Sequence, residues 1–277
     1  MPVGTAASVK SLTPSDLKEI GAQIILANNY HLYLRPGSKT IKKLGGIHEF
    51  MQWDQPILTD SGGFQIMSLS KENASLPAGR WVTIDDDGAT FKSHLDGGKL
   101  LRLTPEIATQ SQLDIGSDII MAFACPVPDG ADRQTAELCV RRTHNWLKRC
   151  VRVFNAHENS SKPHAGGTTP KGKVAEYGFA NFRERKSLFG IIQGGIYKDL
   201  LKHSTEFVLS QNLPGIAVGG AVVGSDQSQT AETIAFVKSL LPKNLPAGRQ
   251  DIPLYAMGVG VKPSDLTSVF KAGADMC

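Results

Sequence analysis

A (β/α)8 barrel is the fold class this sequence predicts, and three observations predict it. Six short, near-continuous apolar runs punctuate the chain, each closed by polar residues or glycine. Runs of that kind read as parallel strands buried on both faces. Helical stretches lie between several of them, at Pro105 to Leu113, Ala131 to Phe154, Leu200 to Gln211 and Gln229 to Leu241, and alternation of strand and helix defines an α/β architecture. The residues with chemical potential gather at the C-terminal ends of the runs, which favours a barrel over an open sheet. A doubly wound sheet would carry a glycine-rich phosphate loop opening a helix, and the sequence offers no convincing one.

Taken in order, Met1-Pro2-Val3-Gly4-Thr5 reads as the tail of a strand. Ile24-Ile25-Leu26 runs into Ala27-Asn28-Asn29-Tyr30-His31. Pro56-Ile57-Leu58-Thr59 then ends in Asp60-Ser61-Gly62-Gly63-Phe64-Gln65, the most informative stretch of the chain. A carboxylate there can act as a general acid or base. Paired glycines let a backbone approach a ligand closely, and Phe64 can stack on a flat ring. If the strand ends lie side by side, the Asn28 amide can hydrogen-bond Asp60 and hold its carboxylate. Loop capping is the competing role for both residues.

Residues Lys71 to Leu103 interrupt the rhythm. Trp81-Val82-Thr83-Ile84, an acidic turn at Asp85-Asp86-Asp87-Gly88, and Ala89 to His94 predict a small antiparallel hairpin inserted after the third strand. Ile119 to Phe123 runs into Ala124-Cys125-Pro126. The basic positions from Arg141-Arg142 to Lys148-Arg149 lie on a predicted helix, most simply as a solvated face. His157 to Lys173, polar and rich in Gly, Ser, Thr and Pro, predicts a mobile loop.

Leu188 to Ile192 leads into Gln193-Gly194-Gly195, whose amide suits a carbonyl or ring nitrogen of a base. Ile216-Ala217-Val218 leads into Gly219-Gly220, where either backbone presentation to a ligand or tight packing accounts for the glycines. Leu254 to Met257 leads into Gly258-Val259-Gly260, and Met257 could wall a planar slot or belong to the core. The string Leu-Pro-Ala-Gly-Arg occurs at Leu76–Arg80 and Leu245–Arg249 and predicts two surface loops. Gly273 to Cys277 reads as the approach to an eighth strand, so the barrel is expected to be incomplete there.

With 277 residues and 41% hydrophobic content, one large core suffices, and residues 1–277 read as a single domain. No apolar stretch reaches the ~18 residues of a membrane span, and Met1 opens no signal-peptide pattern, so a cytoplasmic protein without membrane contact is expected. The four cysteines, Cys125, Cys139, Cys150 and Cys277, form no CxxC pair and indicate neither a zinc site nor a disulfide framework. No metal-ligand cluster is visible. A net charge of +4 permits a polyanionic partner without demanding one.

Together these residues resemble the tRNA-guanine transglycosylase family, the queuine tRNA-ribosyltransferases, of bacterial type. The matching stretches are Met1 to Thr5, Asn28 to Leu32, Thr59 to Leu69, Thr90 to Gly97, Gly116 to Phe123, Phe189 to Gly195, Ala217 to Gly220 and Tyr255 to Gly260. The resemblance implies an enzyme on a (β/α)8 barrel that exchanges guanine at the tRNA anticodon wobble position for a 7-deazaguanine in queuosine biosynthesis. It implies Asp60 as general acid/base, and Asn28, Ser61, Gly62, Gly63, Phe64, Gln193, Gly219, Gly220 and Met257 as the base-binding set. Gly258, Val259, Gly260 and Lys262 are implied to face RNA. Val223 favours preQ1 over queuine. The implied partners are tRNA, preQ1 or guanine, and a second copy of the chain.

The sequence departs from the family pattern in three places. The family's nucleophilic aspartate follows an Asp-Met-Phe run, and the sequence reads Asp275-Met276-Cys277. An acidic pair is expected where Ala124-Cys125 stands, with Asp129 as a nearby substitute. The zinc-binding segment of the family is absent from residues 1–277, so no cofactor is expected within them. Two functions therefore stay open: a transglycosylase, or a catalytically silent homologue that binds tRNA or serves as a dimerisation subunit. Coding sequence running past Cys277 into a nucleophile and cysteine cluster would favour the first.

Overall fold

Each predicted apolar run becomes a strand, and the computed structural model assembles them side by side. It describes residues 1–72, 82–93, 95, 97–161, 186–219, 227–242, 251–259 and 262–277. Seven parallel strands form one curled sheet in the order β1 (Val3–Gly4), β2 (Ile25–Asn28), β3 (Ile57–Asp60), β7 (Ile119–Met121), β8 (Ser187–Ile192), β9 (Gly215–Val218) and β10 (Leu254–Ala256). Beyond β10, Met276 bridges Tyr255 in parallel, and Asp275 N–H donates to the Leu254 carbonyl at 2.8 Å. The Met1 ammonium donates to the Cys277 main-chain oxygen at 2.7 Å, so the two sheet edges meet. This is the incomplete (β/α)8 barrel that the strand-end pattern predicts.

The outer layer holds α1 (Pro14–Glu19), α2 (Asn29–Leu34), α3 (Ser38–Lys43), α4 (Ile47–Met51), α5 (Gly63–Glu72), α6 (Pro105–Ile115), α7 (Arg133–Ser161), α8 (Lys198–Ser210), α9 (Gln227–Leu240) and α10 (Pro263–Lys271). Local chemistry sets several boundaries. Thr104 caps α6 by accepting from Ile107 N–H, Pro105 fills its first turn, and Gly116 ends it at φ +88°. The helix α7 runs through Ser161, so the predicted loop is helical from His157 to that residue. Residues 162–173 of it, His94, and both Leu-Pro-Ala-Gly-Arg strings lie outside the described residues.

Between β3 and α6 the predicted insertion is a separate antiparallel sheet of three strands, β4 (Val82–Ile84), β5 (Ala89–Lys92) and β6 (Leu100–Leu103). The hairpin pattern had supplied only the first two. Asp85 organises the turn: its Oδ1 accepts from Asp87 and Gly88 N–H, each at 2.9 Å, and Arg102 of β6 forks onto both its oxygens at 2.9 and 3.0 Å.

The basic stretch of α7 is not simply a solvated face. Arg142 donates to Asp86 at 2.8 Å, and Arg149 forks onto Glu106 at 2.6 and 2.7 Å, both guanidiniums being largely buried. Seven residues apart, they fall on one helix stripe, which the acidic turn and α6 cover. Arg149 holds the Glu106 carboxyl down to about 2. Arg141 and Lys148, on the other side, are exposed as predicted. Trp146, on the covered side, stacks on Phe123 at 4.7 Å and donates to the Asp86 carbonyl at 2.7 Å.

Strand parity divides the core. Leu58, Met121, Ala124, Phe189, Ile191, Ala217 and Tyr255 pack together inside the barrel. Alternate residues, including Ile57, Ile120, Leu188, Ile192, Ile216 and Leu254, pack outward under the helices. Thr59 also faces outward, where its hydroxyl meets Gln112 Oε1 at 3.0 Å and Ser117 Oγ at 2.7 Å.

Candidate active site

Because side chains alternate along a strand, parity also decides which terminal residues enter the barrel mouth. Leu58 points in, so Asp60 does; Ile191 points in, so Gln193 does. Ala217 carries Gly219 inward and Tyr255 carries Met257. Register then sets neighbours, with Asn28 opposite Asp60, Ile192 opposite Val218 and Val218 opposite Ala256. Asp60, Ser61, Gly62, Gly63, Phe64, Gln193, Gly219 and Met257 accordingly line one pocket, with Gln65, Ala124, Pro126 and Ile191.

Asp60 sits among N–H donors. Asn28 Nδ2 reaches its Oδ2 at 2.7 Å, Gln65 Nε2 the same oxygen at 3.1 Å, and Asn29 N–H its Oδ1 at 3.1 Å. Gly62 N–H is a further donor. Each favours the carboxylate, yet burial outweighs them and pushes the Asp60 pKa up to about 7. The group is therefore poised to hold or release a proton near neutrality. Its charge also reaches Tyr255, whose phenol is pushed well above its usual value, first by burial and then by Asp60.

Asn28 performs both roles the sequence left open. Its Oδ1 accepts from His31 N–H at 3.3 Å and caps α2, which turns Nδ2 toward Asp60. Asn29 and Gln65 are Asp60 partners to which sequence reading assigned no role. Gln65 is five residues past Asp60, in the first turn of α5, and that turn folds its amide back onto the strand end. Its Oε1 is buried and has no hydrogen-bond partner among the described residues. Asn29 is itself braced, donating to the Ser61 carbonyl at 3.3 Å and accepting from Ser111 at 2.7 Å.

Gln193 is almost wholly buried and oriented. Its N–H donates to Ser204 Oγ at 3.1 Å, and its Oε1 accepts from Val127 N–H at 3.2 Å. Among the described residues, the end left without a partner is the Nε2 donor. A Cβ on Gly219 would lie 2.8 Å from that nitrogen, and the Gly219 N–H already donates to the Ile192 carbonyl at 3.0 Å. Packing, not backbone presentation, explains this glycine. Gly62 has φ +89°, a conformation that disfavours side chains. At Gly63 a Cβ would stand 2.4 Å from the Ala124 carbonyl oxygen.

Phe64 is 38% exposed, its ring at the pocket mouth. Gly258 and Lys262 are exposed and Val259 is half-buried, just beyond Met257. Gly220, Val223 and Gly260 lie outside the described residues. Asp129 does not take the place of the missing acid. It is exposed and lines a neighbouring pocket with Tyr197 and Gln229, while Ala124 lines the Asp60 pocket. No cluster of three or more metal-ligating side chains occurs among the described residues. No helix among them is long and apolar enough to cross a membrane.

A family model described as Queuine tRNA-ribosyltransferase matches residues 1–277. The chain belongs to the queuine tRNA-ribosyltransferase family. Curated relatives carrying that name include proteins of Halothermothrix orenii, 43% identical over 277 residues, and Herpetosiphon aurantiacus, 41% identical over 276. A third, from Acetivibrio thermocellus, is 42% identical over 276 residues. In each case the match covers 100% of this chain, but only 62%, 59% and 62% of the respective family member.

Proposed function

We propose that this chain carries the base-exchange site of a tRNA-guanine transglycosylase, replacing guanine at the anticodon wobble position with a 7-deazaguanine, preQ1 being favoured. Asp60 carries the reading: a carboxyl surrounded by donors yet poised near pH 7, in the wall of a pocket that Phe64, Gln193 and Met257 also line. As the acid it protonates the departing guanine, and as the base it takes the proton from the incoming one. Phe64 stacks on one face of the base and Met257 covers the other. Gln193 Nε2, the oriented donor, pairs with an acceptor on the base edge. Gly220 completes that edge, and Gly258, Val259, Gly260 and Lys262 contact the RNA.

Base stacking on an aromatic contributes roughly 1–3 kcal/mol. Phe64→Ala is therefore expected to weaken preQ1 or guanine binding by that amount in titration calorimetry. Unchanged affinity would remove Phe64 from the site.

Attack on ribose C1′ needs a second carboxylate, as in retaining glycoside transfer. In the family motif it falls just past the position of Cys277. A polypeptide of residues 1–277 is thus expected to bind base, to form no covalent tRNA adduct, and to exchange no guanine. A polypeptide extended into that segment is expected to do both. Radiolabelled guanine, tRNA, acid precipitation and denaturing electrophoresis read the outcome. Label incorporated by residues 1–277, and abolished by Asp60→Ala, would overturn this assignment of roles. One observation favours the silent-homologue reading: Ala124 puts a methyl where the family pattern has an acid. No base binding together with retained tRNA binding would support it.

A further inference from the structure

The thiols of Cys125 and Cys139 are 14 residues apart in sequence and 3.6 Å apart in space, both nearly buried. Cys139 lies on α7, and Cys125 on the segment that leaves β7 for the pocket. Thr143, one turn beyond Cys139, clasps the Cys125 backbone on both sides. Its Oγ1 accepts from Cys125 N–H at 3.0 Å and donates to the Cys125 carbonyl at 3.2 Å. The Arg142 guanidinium is beside the Cys125 sulfur.

The segment carrying Cys125 shapes the candidate site. Ala124 and Pro126 line it, the Ala124 carbonyl packs on Gly63, and Val127 N–H orients Gln193. A change in the Cys125–Cys139 contact is transmitted to the pocket through these neighbours.

We propose that Cys125 and Cys139 are a reversible oxidation site, forming a disulfide that shifts the Ala124–Val127 segment and weakens ligand binding in the Asp60 pocket. A disulfide places its sulfurs about 2.05 Å apart, so these must close by about 1.5 Å. Side-chain rotation supplies part of that closure, and the Ala124–Val127 segment, tied to α7 through Thr143 at Cys125, takes up the rest. The oxidant is a peroxide. The Cys125 thiolate attacks one peroxide oxygen, the O–O bond breaks, and hydroxide leaves, forming Cys125 sulfenic acid. The Cys139 sulfur then attacks that sulfur, the S–O bond breaks, and water departs with the Cys139 proton. Two thiols lose two electrons and hydrogen peroxide is reduced to two waters. Cys125 is the attacking thiol because its pKa is lowered, first by the S–H that Cys139 offers it and then by the charge of Arg142. Cys150 is pushed up to about 11 by burial and stays a thiol.

The chemistry is independent of the proposed base exchange; the consequence for binding rests on it. The test treats the reduced protein with hydrogen peroxide and maps non-reduced peptides by mass spectrometry. A Cys125–Cys139 link lacking two hydrogens and reversed by dithiothreitol is expected. Amide exchange at Val127, which needs no ligand, should accelerate on oxidation. Guanine affinity should fall by about tenfold, ~1.4 kcal/mol. Cys139→Ala, or Cys139→Ser should the first fold poorly, is expected to abolish both the link and the Val127 response. Absence of the link, or a link that leaves Val127 exchange unchanged, would overturn the proposal. A link and a Val127 response without guanine binding in either state would leave the oxidation site standing and count against the base-exchange reading.

Discussion

The stability of Asp60→Asn relative to the parent protein is expected to rise by up to about 4 kcal/mol between pH 4 and pH 8. The folded-state pKa of Asp60 is about 7 against 3.8 for the unperturbed group. An acid with a raised folded pKa binds more protons in the folded than in the unfolded state between those two values. Stability from this group therefore falls as pH rises from 3.8 to about 7, and the whole loss is present above that interval. Asparagine resembles the protonated acid and does not titrate, so the variant escapes the loss. One acceptor for the new amide is at hand, because Gln65 Oε1 is buried without a partner among the described residues. A half-turn of that amide turns the oxygen toward residue 60, where it can accept from the new N–H. Asn28 Nδ2, 2.7 Å from the same position and with its own Oδ1 bound to His31 N–H, faces that N–H as a second donor and adds a cost that is the same at every pH. Denaturant unfolding of both proteins across this pH range reads the effect, and parallel pH profiles would refute it. In a polypeptide that reaches past Cys277, the same substitution is expected to slow base exchange by about 10²–10⁴-fold, the usual contribution of a general acid/base. Stability gained where activity is lost would mark Asp60 as a group held against its own solvation preference.

Gly63→Ala is expected to lower stability by about 1–3 kcal/mol, the usual cost of overpacking, and to weaken base binding by more than about tenfold. The new Cβ would stand 2.4 Å from the Ala124 carbonyl oxygen, with the Ala124 carbonyl carbon at 3.5 Å and its nitrogen at 3.8 Å. These are backbone atoms on both sides, so no rotamer change relieves the contact. Either α5 moves with Phe64 and Gln65, or the Ala124–Val127 segment moves with its hold on Gln193. Both routes disturb the pocket. Thermal unfolding and calorimetry with guanine measure the two effects, and a variant with unchanged melting temperature and affinity would show that the contact relaxes freely.

Much of this arrangement is legible in the sequence because it depends on short-range periodicity. A two-residue repeat in buried strands assigns Asp60, Gln193, Gly219 and Met257 to the same side as Leu58, Ile191, Ala217 and Tyr255. The residues that end the runs are therefore the residues that meet at the mouth. Asn28 was placed on Asp60 from adjacent strand ends alone, and the bond is there at 2.7 Å. The third strand of the inserted sheet was harder to see, since Leu100 to Leu103 holds an arginine whose partner, Asp85, belongs to a turn in the preceding hairpin.

What the sequence by itself determined was the order of strands and helices, the gathering of polar residues and glycines at the C-terminal ends of the strands, and the family likeness carried by the Asp60 to Phe64 run. Only the tertiary structure decided how those residues are held and charged. Gln193 takes its orientation from Val127 and Ser204, and Asp60 is held partly by Gln65. Arg142 and Arg149 became largely covered guanidiniums paired with exposed acids, and two cysteines without a motif came into contact. The physical reason is that periodicity is a local property of the chain, whereas desolvation and hydrogen-bond partnership depend on atoms brought from distant elements. The pKa of Asp60 follows from how much protein surrounds its carboxyl and which amides reach it, and neither is determined until the barrel closes around them.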